Sequence, residues 1–160
     1  MDDMSRRGKG IGLALAVMIV AACGCGGDPG PVDAAGFRPI PLAACQRDPG
    51  DGLLPDQRSL SAMIGALHAR GYAIYQVSPA EMTIFTDYKE IRGVSAAWQI
   101  RFMSDGSGEL TVPETMPPQD ARSFASVREW GRGLAATFDR IKCLPRDQLR
   151  AQCEKAGFSF

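Results

Sequence analysis

Apolar residues fall into three regimes along the chain. An unbroken apolar run extends from Ile11 to Ala22. From Gly24 to Pro55 there is no periodicity, and thirteen of thirty-two residues are Gly or Pro. That share exceeds the roughly 25–30% at which composition points to disorder. Such chain holds no helix, so a spacer is expected. Phe37, Ile40, Pro41 and Leu42 are apolar enough for its second half to dock on whatever follows.

From Asp56 the pattern becomes periodic. Leu60, Met63, Ile64 and Leu67 recur at i, i+3, i+4 and i+7, one stripe of a helix. Gly71 stands where a left-handed cap would close that helix. Tyr72 to Val77 is rich in β-formers, Ser78-Pro79 signals a turn, and Met82 to Tyr88 reads as a second strand. Val94, Ala96, Trp98, Ile100 and Phe102 alternate with Ser95, Ala97, Gln99, Arg101 and Met103, as a sheet with one buried face requires. Ser104-Asp105-Gly106-Ser107-Gly108 predicts a hairpin turn into a strand from Glu109 to Val112. A long helix follows from about Asp120 to Lys142, with Phe124, Val127, Leu134, Phe138 and Ile141 on one face and Gly131 completing the spacing. Pro145 breaks it, and a short helix from about Arg146 to Ala156 ends at Gly157. The expected class is α+β: a four-stranded antiparallel sheet with an N-terminal helix, a long C-terminal helix and a short final helix on one face. No internal repeat is visible.

Charge narrows the functions. The chain carries 18 basic and 18 acidic side chains, so no basic excess argues for nucleic acid. Five cysteines are an odd number, which in an exported chain requires one to have a separate fate.

The start of the chain supplies that fate. Arg6, Arg7 and Lys9 precede the apolar run, which ends in small residues, as in an export signal. Its twelve residues, at ~1.5 Å each, fall short of a ~30 Å bilayer core, so no permanent membrane helix is expected. Asp2 and Asp3 are out of place before it, which leaves Met1 or Met4 as the start. Val20-Ala21-Ala22-Cys23 resembles a lipobox, the recognition site of signal peptidase II in bacterial lipoproteins. The resemblance covers the first two dozen residues and matches all four lipobox positions. It implies cleavage before Cys23 and acylation of its thiol, palmitate included, often with acylation of its amine as well. Each buried methylene contributes ~0.8 kcal/mol, so two or three chains hold firmly where one does not. In this family an aspartate after the cysteine retains the protein at the inner membrane. Gly24 stands there, which implies the periplasmic face of the outer membrane. The expected organisation is a signal peptide over 1–22, a lipidated Cys23 with its tether over 23–55, and a globular domain over 56–160.

With Cys23 lipidated, four cysteines remain. Cys143 and Cys153 lie ten positions apart around the Pro145 corner, and a bridge there would contribute ~2–3 kcal/mol. That pairing is preferred. Cys45 could instead bridge to either, stapling the tether onto the domain, and Cys25 pairs with Cys45 or stays free. No C-x-x-C spacing exists, and His68 is the single histidine, so a zinc site or a histidine relay is not expected.

Other chemistry fails on context. Gly131-Arg132-Gly133-Leu134-Ala135-Ala136 has the letters of a dinucleotide fingerprint, but it lies within a helical pattern rather than after a strand. Close helix–sheet packing explains its small residues better. Ser107 lacks both outer glycines of a nucleophile elbow. Asp48-Pro49-Gly50-Asp51-Gly52 lacks the alternating ligands and closing glutamate of a calcium loop, and a turn is expected. Asp87, Glu90, Glu109 and Glu114 could pair as carboxylates, with solvated strand ends the default. No catalytic, cofactor or metal residue is expected.

The helix, four strands and long helix also resemble the helix-grip domains of some outer-membrane assembly lipoproteins, through Ala69-Arg70-Gly71-Tyr72-Ala73-Ile74 and Met82-Thr83-Ile84-Phe85-Thr86-Asp87. The likeness lies in strand pattern and transfers no site residue. The expected function is a non-enzymatic, membrane-anchored envelope lipoprotein acting on an envelope protein partner as an interaction or scaffold domain. The alternative is a carrier holding an apolar ligand between the long helix and the sheet, with Trp98, Trp130, Phe124 and Phe138 as lining. A hydrolase comes third.

Overall fold

A computed structural model describes residues 31–47 and 49–159. The export signal, the lipobox with Cys23, and Cys25 lie outside the described residues, as does Asp48 of the calcium-like segment.

The first expected helix forms as α1, Pro55–Ala69, with proline at its first turn. Gly71 at φ +70° closes it: the Gly71 N–H donates to the His68 carbonyl and the Tyr72 N–H to the Leu67 carbonyl, both at 2.9 Å. This double bond pattern satisfies end carbonyls and is available to glycine without strain. The predicted stripe is buried, but so is every residue from Arg58 to Leu67. A helix sealed on all sides must offer small residues to its neighbours. Ala62, Gly65 and Ala66 do so, and a Cβ on Gly65 would stand 2.9 Å from the Gln152 Cβ.

The sheet is larger than expected. Its five antiparallel strands run β1 (Ile40–Leu42), β7 (Gly108–Thr111), β6 (Gln99–Phe102), β3 (Thr83–Thr86) and β2 (Ile74–Ser78), edge to edge. A separate ribbon pairs β4 (Lys89–Ile91) with β5 (Val94–Ala96). The four-stranded expectation is corrected at two points. The single strand expected from Val94 to Met103 is split, because Ala96, Ala97 and Trp98 are all buried in succession. Three consecutive inward residues cannot lie on a flat strand whose side chains alternate, so the chain bends. Thr86 holds the bend: its Oγ1 accepts the Trp98 N–H at 2.8 Å and its own N–H donates to the Trp98 carbonyl at 3.0 Å. The second correction is β1, drawn from the expected tether.

The helix-facing side of the sheet carries Ile84, Ile100 and Leu110, all fully buried. The long helix α2, Ala121–Ile141, packs there, its N-terminus capped by Asp120, whose Oδ1 accepts the Ser123 N–H at 2.8 Å. Phe124, Val127, Gly131, Leu134 and Phe138 form its buried face. A Cβ on Gly131 would stand 2.8 Å from Ile40 Cδ1 and 3.1 Å from Trp98 Cη2, so close approach to the sheet accounts for this glycine. The final helix α3, Arg146–Lys155, packs on α1.

Of the expected tether, residues 31–47 and 49–54 pack on the folded body, as the apolar Phe37, Ile40 and Leu42 led one to expect for its second half. Phe37 enters an aromatic cluster, 5.7 Å from the Phe124 ring and 6.2 Å from that of Trp98, and Leu42 is buried beside it in the core. A disulfide joins Cys45 to Cys143. Lys142 Nζ donates to the Ala43 carbonyl at 2.8 Å. The preferred Cys143–Cys153 pairing is therefore corrected: Cys153 is a free, buried thiol on the α1-facing side of α3, bonded to the Ser61 carbonyl at 3.4 Å. Cys143 lies on the exposed corner between α2 and α3, where the arm passes.

Candidate functional site

One face of the five-stranded sheet is covered by helices, and among the described residues no helix covers the opposite, open face. Strand register decides what that open face presents. Gln76, Phe85, Gln99 and Thr111 stand opposite one another across β2, β3, β6 and β7. Between Ile74, which pairs with Thr86, and Gln76, which pairs with Phe85, β2 carries one extra residue, Tyr75. Such a bulge re-aims side chains on an edge strand. Tyr75 is 72% exposed. Tyr88, just past the end of β3, is 47% exposed, and its hydroxyl lies 3.3 Å from Thr115 Oγ1.

These residues border a groove of about 650 Å³. Its walls are Tyr75, Phe85 and Tyr88 on one side and Pro113, Glu114 and Thr115 on the other. Asp87 and Glu114 both line it, and no lysine or arginine does. Two of the four candidate carboxylates thus share one groove, on the rim of an aromatic surface rather than in a closed cleft. Tyr aromatic faces with carboxylates beside them suit contact with a cationic or amphipathic protein surface.

The remaining candidates fall elsewhere. His68 is exposed near the end of α1. Glu109 is exposed on β7 opposite Arg101, and Glu90 is exposed on β4. Ser107 serves its turn: its N–H and hydroxyl both donate to Asp105 Oδ1, at 2.8 and 2.6 Å, holding the Asp105 carboxyl below its usual range. Trp98, Phe124 and Phe138, expected to line a groove between the long helix and the sheet, are packed in the core, and Trp130 is half-buried on α2. Among the described residues no group of three or more His, Cys, Asp or Glu side chains could hold a metal ion.

Asp51, from the calcium-like segment, is a structural clamp. Its carboxylate pairs with the buried Arg58 guanidinium and accepts N–H bonds from Leu53 at 3.2 Å and Arg146 at 2.8 Å. Arg58 also donates to the Leu144 carbonyl at 2.7 Å. The Arg58 hydrogen bond, above all, holds the Asp51 carboxyl below its ordinary value. One carboxylate so ties the arm to the starts of α1 and α3.

The aromatic groove was missed in the sequence because Tyr75, on β2, and Tyr88, past the end of β3, line one groove only through the β2–β3 pairing and the bulge at Tyr75. Compared with known proteins, the chain matches no family model and no curated protein.

Proposed function

We propose that the chain is a lipid-anchored envelope lipoprotein whose folded body binds another envelope protein without catalysing a reaction. The observation that carries the interaction half is the open sheet face, where Tyr75, Phe85 and Tyr88 border an acidic groove beside the free edge of β2. Exposed tyrosines grouped on one surface are a common feature of protein interfaces, and an unpaired strand edge offers backbone hydrogen bonds to a partner. The anchor rests on the resemblance of Val20-Ala21-Ala22-Cys23 to a lipobox. The Cys45–Cys143 disulfide supports export, since such bonds persist in oxidising compartments. The partner's matching surface is basic, because Asp87 and Glu114 rim the groove with no cation among its lining.

Crosslinking in intact membranes tests both halves. A photoreactive residue at Tyr75 is expected to capture a discrete envelope protein, and the Asp87→Lys/Glu114→Lys variant is expected to lose it. Capture of nothing, or of the same species by a photoreactive residue at exposed Arg132 on α2, removes the reading. Cys23→Ser is expected to release the protein from membranes after a high-salt wash.

A further inference from the structure

A second cavity, of about 570 Å³, lies where α1, α3 and the β2–β3 turn meet. Its volume falls within the roughly 300–1,000 Å³ of small-ligand sites. Leu60 and Ile64 of α1 form one apolar wall, and Val77 and Met82 form the facing one. Arg146 and Arg150 of α3 stand at the mouth. Four residues apart on one helix, they project from the same side. Among the described residues neither guanidinium is in an ion pair, and no Asp or Glu lines the cavity. Asp51 takes the Arg146 backbone N–H and is itself held by Arg58.

A second observation marks the same place. Met82 holds φ +49°, a left-handed conformation uncommon outside glycine, while its carbonyl is fixed by the Phe102 N–H at 2.9 Å. Backbone strain of this kind concentrates at ligand sites. Here it holds the Met82 side chain on the cavity wall.

We propose that this cleft binds a single-chain anionic amphiphile, its apolar chain against Ile64, Val77 and Met82 and its carboxylate or phosphate head on Arg146 and Arg150. An apolar wall alone would accept any tail, and two unpaired guanidinium groups alone would accept any anion. Only a ligand with both parts satisfies both. The site is independent of the aromatic groove, so either can fail without the other.

The test uses the full chain in its membrane, labelled with a diazirine-bearing dodecanoate whose adducts are mapped by mass spectrometry. Adducts are expected on the peptides carrying Ile64 and Val77–Met82. Arg146→Gln/Arg150→Gln should reduce them about tenfold, the scale of two charge-assisted contacts. Gln57→Trp, at an exposed lining position, should plug the cleft and abolish them. Dodecanoate should compete and dodecyltrimethylammonium should not. Stronger competition by lysophosphatidylglycerol than by dodecanoate assigns the source to membrane phospholipid, and the reverse order assigns it to free fatty acid. Adducts elsewhere, labelling unmoved by either variant, or equal competition by the cation overturns the proposal. Unchanged melting of the variants, whose altered side chains are all exposed, separates these results from misfolding.

Discussion

The two faces of the five-stranded sheet are made by the same alternation and end in opposite conditions. On the covered face, Ile84, Ile100 and Leu110 are fully buried beneath α1 and α2. On the open face, Phe85 is only half-buried, and Tyr75 beside it is largely in solvent. The covered face concentrates packing energy, since each buried aliphatic side chain contributes about 1.5–3 kcal/mol. The open face contributes little to folding and leaves aromatic surface and carboxylates accessible. Packing and exposed aromatic surface are thus separated across one layer of backbone. The N-terminal arm adds to the first side: β1, Phe37 and Leu42 complete the covered core, and the disulfide and Asp51 fasten the arm to the helices.

Substitutions can break this contrast, beginning with the largest effect. Ile100→Ala, at the centre of the covered face, is expected to destabilise by about 2–5 kcal/mol in denaturant melts and to leave partner crosslinking intact in whatever fraction is folded. Next comes the arm. Cys45 and Cys143 are separated by 98 positions, so the disulfide restrains a long loop, and Cys45→Ser should lower stability by about 2–4 kcal/mol. A reducing agent should lower the wild-type melting temperature to that of Cys45→Ser and leave the variant unmoved.

Acid probes the same attachment. The Asp51 carboxyl is held below its ordinary value in the folded chain, so the unfolded state binds the proton more readily. Its contribution is present above the unfolded pKa of about 3.9 and is lost as pH falls through the lower folded value. Thermal melts across this range should show a falling midpoint. Asp51→Asn should be less stable at neutral pH, having left the buried Arg58 without its anion, and should show a shallower acid decline. Asp105 and Asp120 shift in the same direction, through bonds from Ser107 and Ser123, so only the difference between wild type and variant reports Asp51. The smallest effect on folding belongs to the open face. Tyr75→Ala should change stability by no more than about 0.5 kcal/mol, as at other exposed positions, while reducing crosslinked partner. A large loss of stability there would end the separation of the two faces.

Much of the covered side was legible in residue order. The spacing of Leu60, Met63, Ile64 and Leu67, the alternation through Trp98, Ile100 and Phe102, and the α2 stripe with Gly131 all face the core. Gly71 and Gly157 end their helices through the expected bonds, Phe158 donating to the Cys153 carbonyl at 2.9 Å. The arm was less legible, because Gly and Pro outweigh the few apolar residues that dock. Phe37 and Leu42 are buried only because β7, far along the chain, leaves an edge for β1. The disulfide was misread for a related reason. Closeness in sequence favoured Cys143 with Cys153, but the helical turn of α3 carries Cys153 inward against Ser61 and away from the corner.

Periodicity, caps and turn residues are local properties, so residue order alone determined that the described residues make three α-helices in these places and an antiparallel sheet between them. How many strands that sheet has, which cysteines meet and which aromatic residues remain outside depend on contacts between segments distant in the chain. Those contacts are selected by the free energy of closing the whole core, and only the tertiary structure decided them.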